Sequence, residues 1–237
     1  MFDRSAPLWG SNFTKDDNMV TKDRLAKLTK EQRALVTKKL LEQRRRAGGD
    51  AANGASTTPI ERDPDNRFEP FPLTDLQQAY WVGRASRLDM GLVGNHSYFE
   101  VDTEMDLVRL EDALNAMIAR HDMLRCIIEE DGRQRTLREV PRYRIGAEDL
   151  SRASPQARER RLLEIRAEMS HQILPASEWP LFRVRAARLD ETTHRLFIGL
   201  DALHFDAWSL TKFLREWSEV YGSPDAAPPR IDLLLRD

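Results

Sequence analysis

A chain of 237 residues with 41% hydrophobic and 32% charged residues is long enough to enclose a sizeable core. With 37 Lys+Arg against 39 Asp+Glu the net charge is -2, so no global field draws nucleic acid or an anionic membrane, and neither is expected as a partner. No apolar run nears the ~20 residues of a spanning helix, and the N-terminus lacks the pattern of a signal peptide, which reads as a cytoplasmic protein; the lone Cys126 excludes an internal disulfide framework and a cysteine-built zinc site, and no metal is expected.

Residues 1 to about 21 are polar and aperiodic and read as a poorly ordered tail. "LTKEQRALVTKKLLEQRRRAGG" then places Thr29 and Gln32 as a capping box, Val36, Leu40 and Leu41 on one face and Gly48 as a stop, which predicts a short helix. From Lys22 to Arg46 there are ten Lys/Arg against three Asp/Glu, a local balance of +7, so this helix is either a solvated face on a linker or a docking surface for an acidic partner. "DAANGASTTPIERDPDNRFEP", small and polar with three prolines, has the composition of a linker that tethers the helix flexibly. The expected division is therefore tail, basic helix and linker over 1–68, and a folded lobe over 69–237.

From Phe71 the pattern becomes that of a packed domain. Thr74 and Gln77 form a second capping box, with Leu76, Tyr80 and Trp81 expected inward. "HSYFEVD" reads as a strand, and a helix follows with Asp106 as cap and Val108, Leu110, Leu114, Met117 and Ile118 as its apolar positions. "MLRCIIEEDGRQRTLREV" is a strand pair turning at Asp131-Gly132, with Leu124, Cys126 and Ile128 on one face, where the thiol is a packing group. A charged helix spans about Pro155 to Gln172, with Leu162, Leu163, Ile165, Ala167 and Met169 apolar. "LFRVRAARLDETTHRLFIGLD" gives two strands, and the last helix starts near Trp208, carries Leu210, Phe213, Leu214, Trp217, Val220 and Tyr221 at helical spacing and ends at Gly222. Helices mixed with largely antiparallel strands predict an α+β domain, with the strand ending at Asp201 near its exposed edge.

The stretch "LDALHFDAWSL", residues 200–210, sets Asp201, Asp206 and Ser209 between that strand and that helix. Asp206 suits an N-cap and Ser209 lies in the same turn, so capping accounts for both without any chemistry. Nucleophilic catalysis by Ser209 would need a base beside it, and the sequence offers none.

"FPLTDLQQAYWVGR", "RHDMLR", "PLFRVRAARLD" and "LDALHFDAWSL" occur in the order and spacing of the heterocyclization (Cy) domains of nonribosomal peptide synthetases, and the chain from about Phe71 to Asp237 resembles them. In these variants of the condensation domain the usual HHxxxDG motif is replaced by DxxxxDxxS, filled here by Asp201, Asp206 and Ser209. Aligned on Asp206, the two histidines of an ordinary condensation motif fall on Asp201 and Ala202, so a methyl group stands where the amide-forming histidine would be. His204 is two positions late and is expected to line the substrate channel beside Ala202 as a neutral side chain.

The resemblance implies condensation of a carrier-bound acyl or peptidyl thioester with carrier-bound Cys, Ser or Thr, and cyclodehydration to a thiazoline or oxazoline. The substrates ride on phosphopantetheine arms of upstream and downstream peptidyl carrier proteins, and no cofactor is bound directly. It also implies that Asp206 pairs with Arg125 of "RHDMLR", or else Arg120, for architecture, while Asp201 is either the catalytic candidate, free to face the channel, or a hydrogen-bond acceptor between helix and loop. The family fold is a pseudo-dimer of two lobes, each like chloramphenicol acetyltransferase, and the first-lobe motifs alone occur here. A threonine and an aspartate implicated in cyclodehydration belong to the second lobe, so the chain is expected to be inactive alone. The basic helix is then a candidate docking segment for an upstream synthetase subunit. The competing readings are an ordinary condensation or acyltransferase lobe, disfavoured by Ala202, and a non-catalytic carrier-protein interaction module.

Overall fold

The computed structural model describes residues 60–84, 96–224, 231 and 233–237. The tail, the basic helix and most of the linker lie outside these residues; those described from Arg62 onward belong to one compact unit. The end of the expected linker is tied to this unit. Arg67 makes a two-pronged ion pair with Asp122, Nε to Oδ2 at 2.7 Å and Nη2 to Oδ1 at 2.6 Å, and the Asp63 N–H donates to Asp237 Oδ1 at 3.2 Å.

The chain enters through β1 (Phe71–Pro72) and α1 (Asp75–Gly83). The capping box of α1 forms as expected, the Thr74 hydroxyl accepting from the Gln77 N–H and the Gln77 carboxamide accepting from the Thr74 N–H. That reach back turns Gln77 into the lobe and carries its neighbour Leu76 round to the solvent side, 56% exposed, against expectation. After β2 (His96–Glu104) comes α2 (Leu107–Arg120), capped by Asp106 and buried along Leu110, Leu114, Met117 and Ile118. Val108, about 200° around the helix from Leu110, is exposed.

A 3-10 turn (Asp122–Arg125) leads into the hairpin β3 (Cys126–Ile128) and β4 (Arg133–Thr136), and β1 pairs with β4. Gly132, at φ 80°, makes the turn; a side chain there would be strained and would also meet the Trp81 ring at 3.0 Å. The second sheet has the order β2-β7-β6-β5, from β5 (Gly146–Asp149), β6 (Phe182–Arg188) and β7 (Thr193–Asp201). All its pairings are antiparallel except β5 with β6.

Strand β7 is therefore interior, flanked by β2 and β6 along its whole length, and the expectation of an edge position is corrected. From Leu196 to Asp201 both of its faces are dry, as the run of Leu196, Phe197, Ile198 and Leu200 requires. On one face α3 (Pro155–Ser170) packs Leu162, Ile165 and Met169 against Ala187 and Phe197, leaving Leu163 outside. The last helix, α4 (Ala207–Gly222), buries Phe213, Leu214, Trp217 and Val220 and joins α2 through the Trp217 indole N–H, which donates to the Leu110 carbonyl at 3.2 Å. The resulting α+β lobe ends its central strand at Asp201, directly before the corner that the sequence singles out. No helix among the described residues is long and apolar enough to cross a membrane.

Candidate active-site corner

Along β7, side chains alternate between faces, so Asp201 lies on the same face as Phe197 and Gly199 and points into the lobe. It is 4% exposed. Its Oδ1 accepts from the guanidinium Nη2 of Arg84, a side chain only 9% exposed, and from the Leu203 N–H at 3.0 Å; Arg84 Nη1 donates to the Leu174 carbonyl at 3.1 Å. A desolvated carboxylate held by a charge-assisted bond and a backbone N–H is an anchor, because both groups are costly to leave unpaired away from water. The Asp201 carbonyl accepts the N–H groups of His204 and Phe205 at 3.0 and 3.1 Å, which turns the chain sharply out of the strand.

Ala202 is half-buried in this turn and Leu203 fully buried. Gln77 of α1 donates from Nε2 to the Leu203 carbonyl at 2.8 Å. His204 has its Nε2 shut from solvent without a hydrogen-bond partner, and burial, reinforced by the charge of Arg84, pushes its imidazole down to about 3. At neutral pH it is uncharged and far too weak a base to take a proton from an amine.

Asp206 is exposed and caps α4, its Oδ1 accepting the Ser209 N–H at 2.6 Å. The Ser209 backbone and hydroxyl hold its carboxyl below the usual carboxylate range. Asp206 and Ser209 thus form one cap, as their spacing predicts. The expected ion pair between Asp206 and Arg125 does not form. Arg125 is buried elsewhere: it donates to Asp122 at 2.7 Å and to the carbonyls of Ile118, Ala119 and Leu137, closing the C-terminal end of α2. Its carboxylate comes from three residues away rather than from across the lobe. Arg120, the alternative partner, pairs with Glu216 at 2.5 Å, and His121 meets the same carboxylate at 3.0 Å. The roles expected of the two aspartates are exchanged: Asp201 is the buried arginine-bound residue and Asp206 the solvent-facing cap.

A cleft of about 430 Å³ opens beside the corner, with His204, Phe205, Ser209 and Phe213 on one wall and Arg120, His121 and Leu124 on another. Ala202 and Asp201 are outside its lining. The structure thus brings His204 and Ser209 to one space and holds Asp201 apart. Three residues that matter were not singled out from sequence: Arg84, the last residue of "FPLTDLQQAYWVGR"; Gln77, read as a capping residue alone; and Asp122, inside "RHDMLR". Their places within two quoted motifs were the available signal. No group of three or more His, Cys, Asp or Glu among the described residues is arranged to hold a metal ion.

A sequence profile of the condensation domain matches residues 69–230. Bacitracin synthase 1 of Bacillus licheniformis is 34% identical over 175 residues, 74% of this chain and 3% of that protein. Pyochelin synthetase PchF of Pseudomonas aeruginosa is 32% identical over 177 residues, 74% of this chain and 10% of the synthetase. Phenyloxazoline synthase MbtB of Mycobacterium tuberculosis is 32% identical over 197 residues, 81% and 13%. Among solved structures, the EpoB cyclization-docking bidomain of a Sorangium cellulosum nonribosomal peptide synthetase superposes with a TM-score of 0.73 at 34% identity, covering 89% of this chain and 42% of that one. The chain thus spans a small fraction of its curated relatives and less than half of the bidomain.

Proposed function

The chain belongs to the condensation-domain family, and on that premise we propose that it is the N-terminal lobe of a heterocyclization domain of a nonribosomal peptide synthetase. The observation that carries this reading is the corner itself: Asp201, Asp206 and Ser209 fill DxxxxDxxS, with Ala202 where ordinary condensation needs a histidine. His204, held neutral by burial, does not replace that histidine as a base. The phenyloxazoline and cyclization names of similar proteins agree with ring formation.

In the proposed reaction the amine of a carrier-bound Cys, Ser or Thr attacks the upstream acyl or peptidyl thioester. The amide forms as the phosphopantetheine thiol leaves with a proton. The thiol or hydroxyl of the same residue then adds to the new amide carbonyl, and loss of one water gives the thiazoline or oxazoline. Within this scheme the described residues contribute architecture: Arg84 and Asp201 fix the end of β7, and Asp206 with Ser209 fixes the start of α4. The groups that move protons are assigned to a second lobe, and the carrier proteins to the space between the lobes. The basic segment from Lys22 to Arg46 is proposed to dock an upstream subunit, in keeping with the docking portion named for the EpoB bidomain.

The test is reconstitution. A protein joining this chain to a second lobe, offered acyl-loaded and cysteinyl-loaded carrier proteins, should yield a carrier-bound product lighter than the uncyclized amide by one water. The 237-residue chain alone should yield neither. Amide without ring from the two-lobed protein would favour ordinary condensation, and ring formation by the chain alone would overturn the assignment to one lobe.

A further inference from the structure

Residues 77 and 84 are two helical turns apart, so α1 and its C-terminal cap present one polar face to the motif loop. Arg84 holds the carboxylate of Asp201, which in turn binds the Leu203 N–H. Gln77 holds the other end of the same residue, its Nε2 on the Leu203 carbonyl. Behind it stands Gln134 of β4, 0% exposed. The two carboxamides bond reciprocally, each Nε2 to the other's Oε1 at 3.0 Å. Gln77 Oε1 also accepts from the Thr74 N–H at 2.9 Å, and Gln134 Nε2 also donates to the Pro72 carbonyl at 2.9 Å.

Each of these bonds fixes the orientation of the next. Rotating the Gln77 amide by half a turn would set its oxygen against the Leu203 carbonyl and its NH2 against the Thr74 N–H, two repulsive contacts in a dry site. The amide pair therefore has one arrangement, and the Leu203 carbonyl has one place. An apolar pair of similar volume would fill the same space without specifying where Leu203 sits.

We propose that Gln77 is a positioning residue for the motif loop. With Gln134 as its backing, it sets the path of the chain from Asp201 to Phe205 and so places Ala202 and His204 relative to the reacting groups. The link to catalysis rests on the heterocyclization reading; the positioning itself does not.

The experiment has an arm for each. In the 237-residue chain, hydrogen exchange is compared between the amides of Leu203, His204 and Phe205 and those of Leu196 and Ile198 in β7. Gln77→Met should speed exchange at the first group by about tenfold more than at the second. Gln134→Met, which removes the backing but leaves Gln77 able to reach Leu203, should loosen the β1 to β4 pairing and also the loop, the loop by less than Gln77→Met does. Should Gln77→Met lose the fold, Gln77→Asn, one methylene too short to reach the Leu203 carbonyl, must show the same selective loosening. A uniform rise across both groups, or a loop loosened more by Gln134→Met than by Gln77→Met, would overturn the proposal. In the two-lobed protein, Gln77→Asn should lower kcat for amide and ring together with KM for the carrier proteins unchanged. Selective loosening with kcat unaltered would overturn the catalytic link while leaving the positioning intact.

Discussion

Arg84 and Asp201 lie 117 residues apart and form a buried ion pair that joins the end of the opening motif to the end of the central strand. The pair decides what the first aspartate of the corner does. Its carboxylate is committed to a guanidinium and a backbone N–H, whereas Asp206, five residues on, faces solvent as a helix cap.

Asp201→Ala leaves Arg84 as an uncompensated buried charge and should destabilise the lobe by about 3–5 kcal/mol. Arg84→Ala should do the same, and the double variant should lose much less than the sum of the two. Urea unfolding of the four proteins measures this directly, and additive losses would show that the two side chains do not act as a pair.

Asp206→Ala removes a cap on an exposed helix end and should lower stability by about 1 kcal/mol. Since the folded pKa of Asp206 is depressed, its contribution is complete above the ordinary carboxylate pKa and is lost as the pH falls through the lower folded value. A loss as large as that of Asp201→Ala would contradict the exchange of roles.

The imidazole of His204, pushed down to about 3 by burial and by Arg84, returns to about 6.5 on unfolding. The unfolded chain then takes up a proton that the folded one does not. Stability is thus complete above about pH 6.5 and falls as the pH drops, by at most about 1.4 kcal/mol per pH unit from this group. His121, lowered chiefly by burial, acts with the same sign, so the comparison is made with His204→Gln. The urea midpoint should fall less between pH 7 and pH 5 in that variant than in the parent. Equal falls would mean that His204 is hydrated in the folded lobe.

Burial raises the Cys126 thiol to about 12, so a disulfide reagent at pH 8 should label it only after unfolding. Stoichiometric labelling of the native protein within minutes would contradict its place in the core.

Local chemistry was legible in the sequence where partners are near in the chain. The caps at Thr74, Asp106 and Asp206, the turn at Gly132 and the buried stripe of α2 all depend on residues within a few positions of one another, and all formed. Strand β5, "GAED", escaped notice because it has no apolar alternation: it is a mostly exposed edge strand held by backbone pairing to β6. The partner of a buried aspartate was not legible. Arginines abound in this chain, and choosing Arg84 over Arg125 requires knowing that α1 packs beside the end of β7 while Asp122 already satisfies Arg125. Periodicity also failed at Leu76, since the capping box needs Gln77 inside.

The most direct test of the account is the product formed by Asp201→Asn in the two-lobed protein, resolved by mass spectrometry into amide and ring. If Asp201 is an anchor, the variant melts lower and makes less of both products, with the ratio of ring to amide unchanged. An unchanged melting temperature with amide formed and the ring lost would make Asp201 a ring-closing residue and contradict the architectural role that its bond to Arg84 assigns.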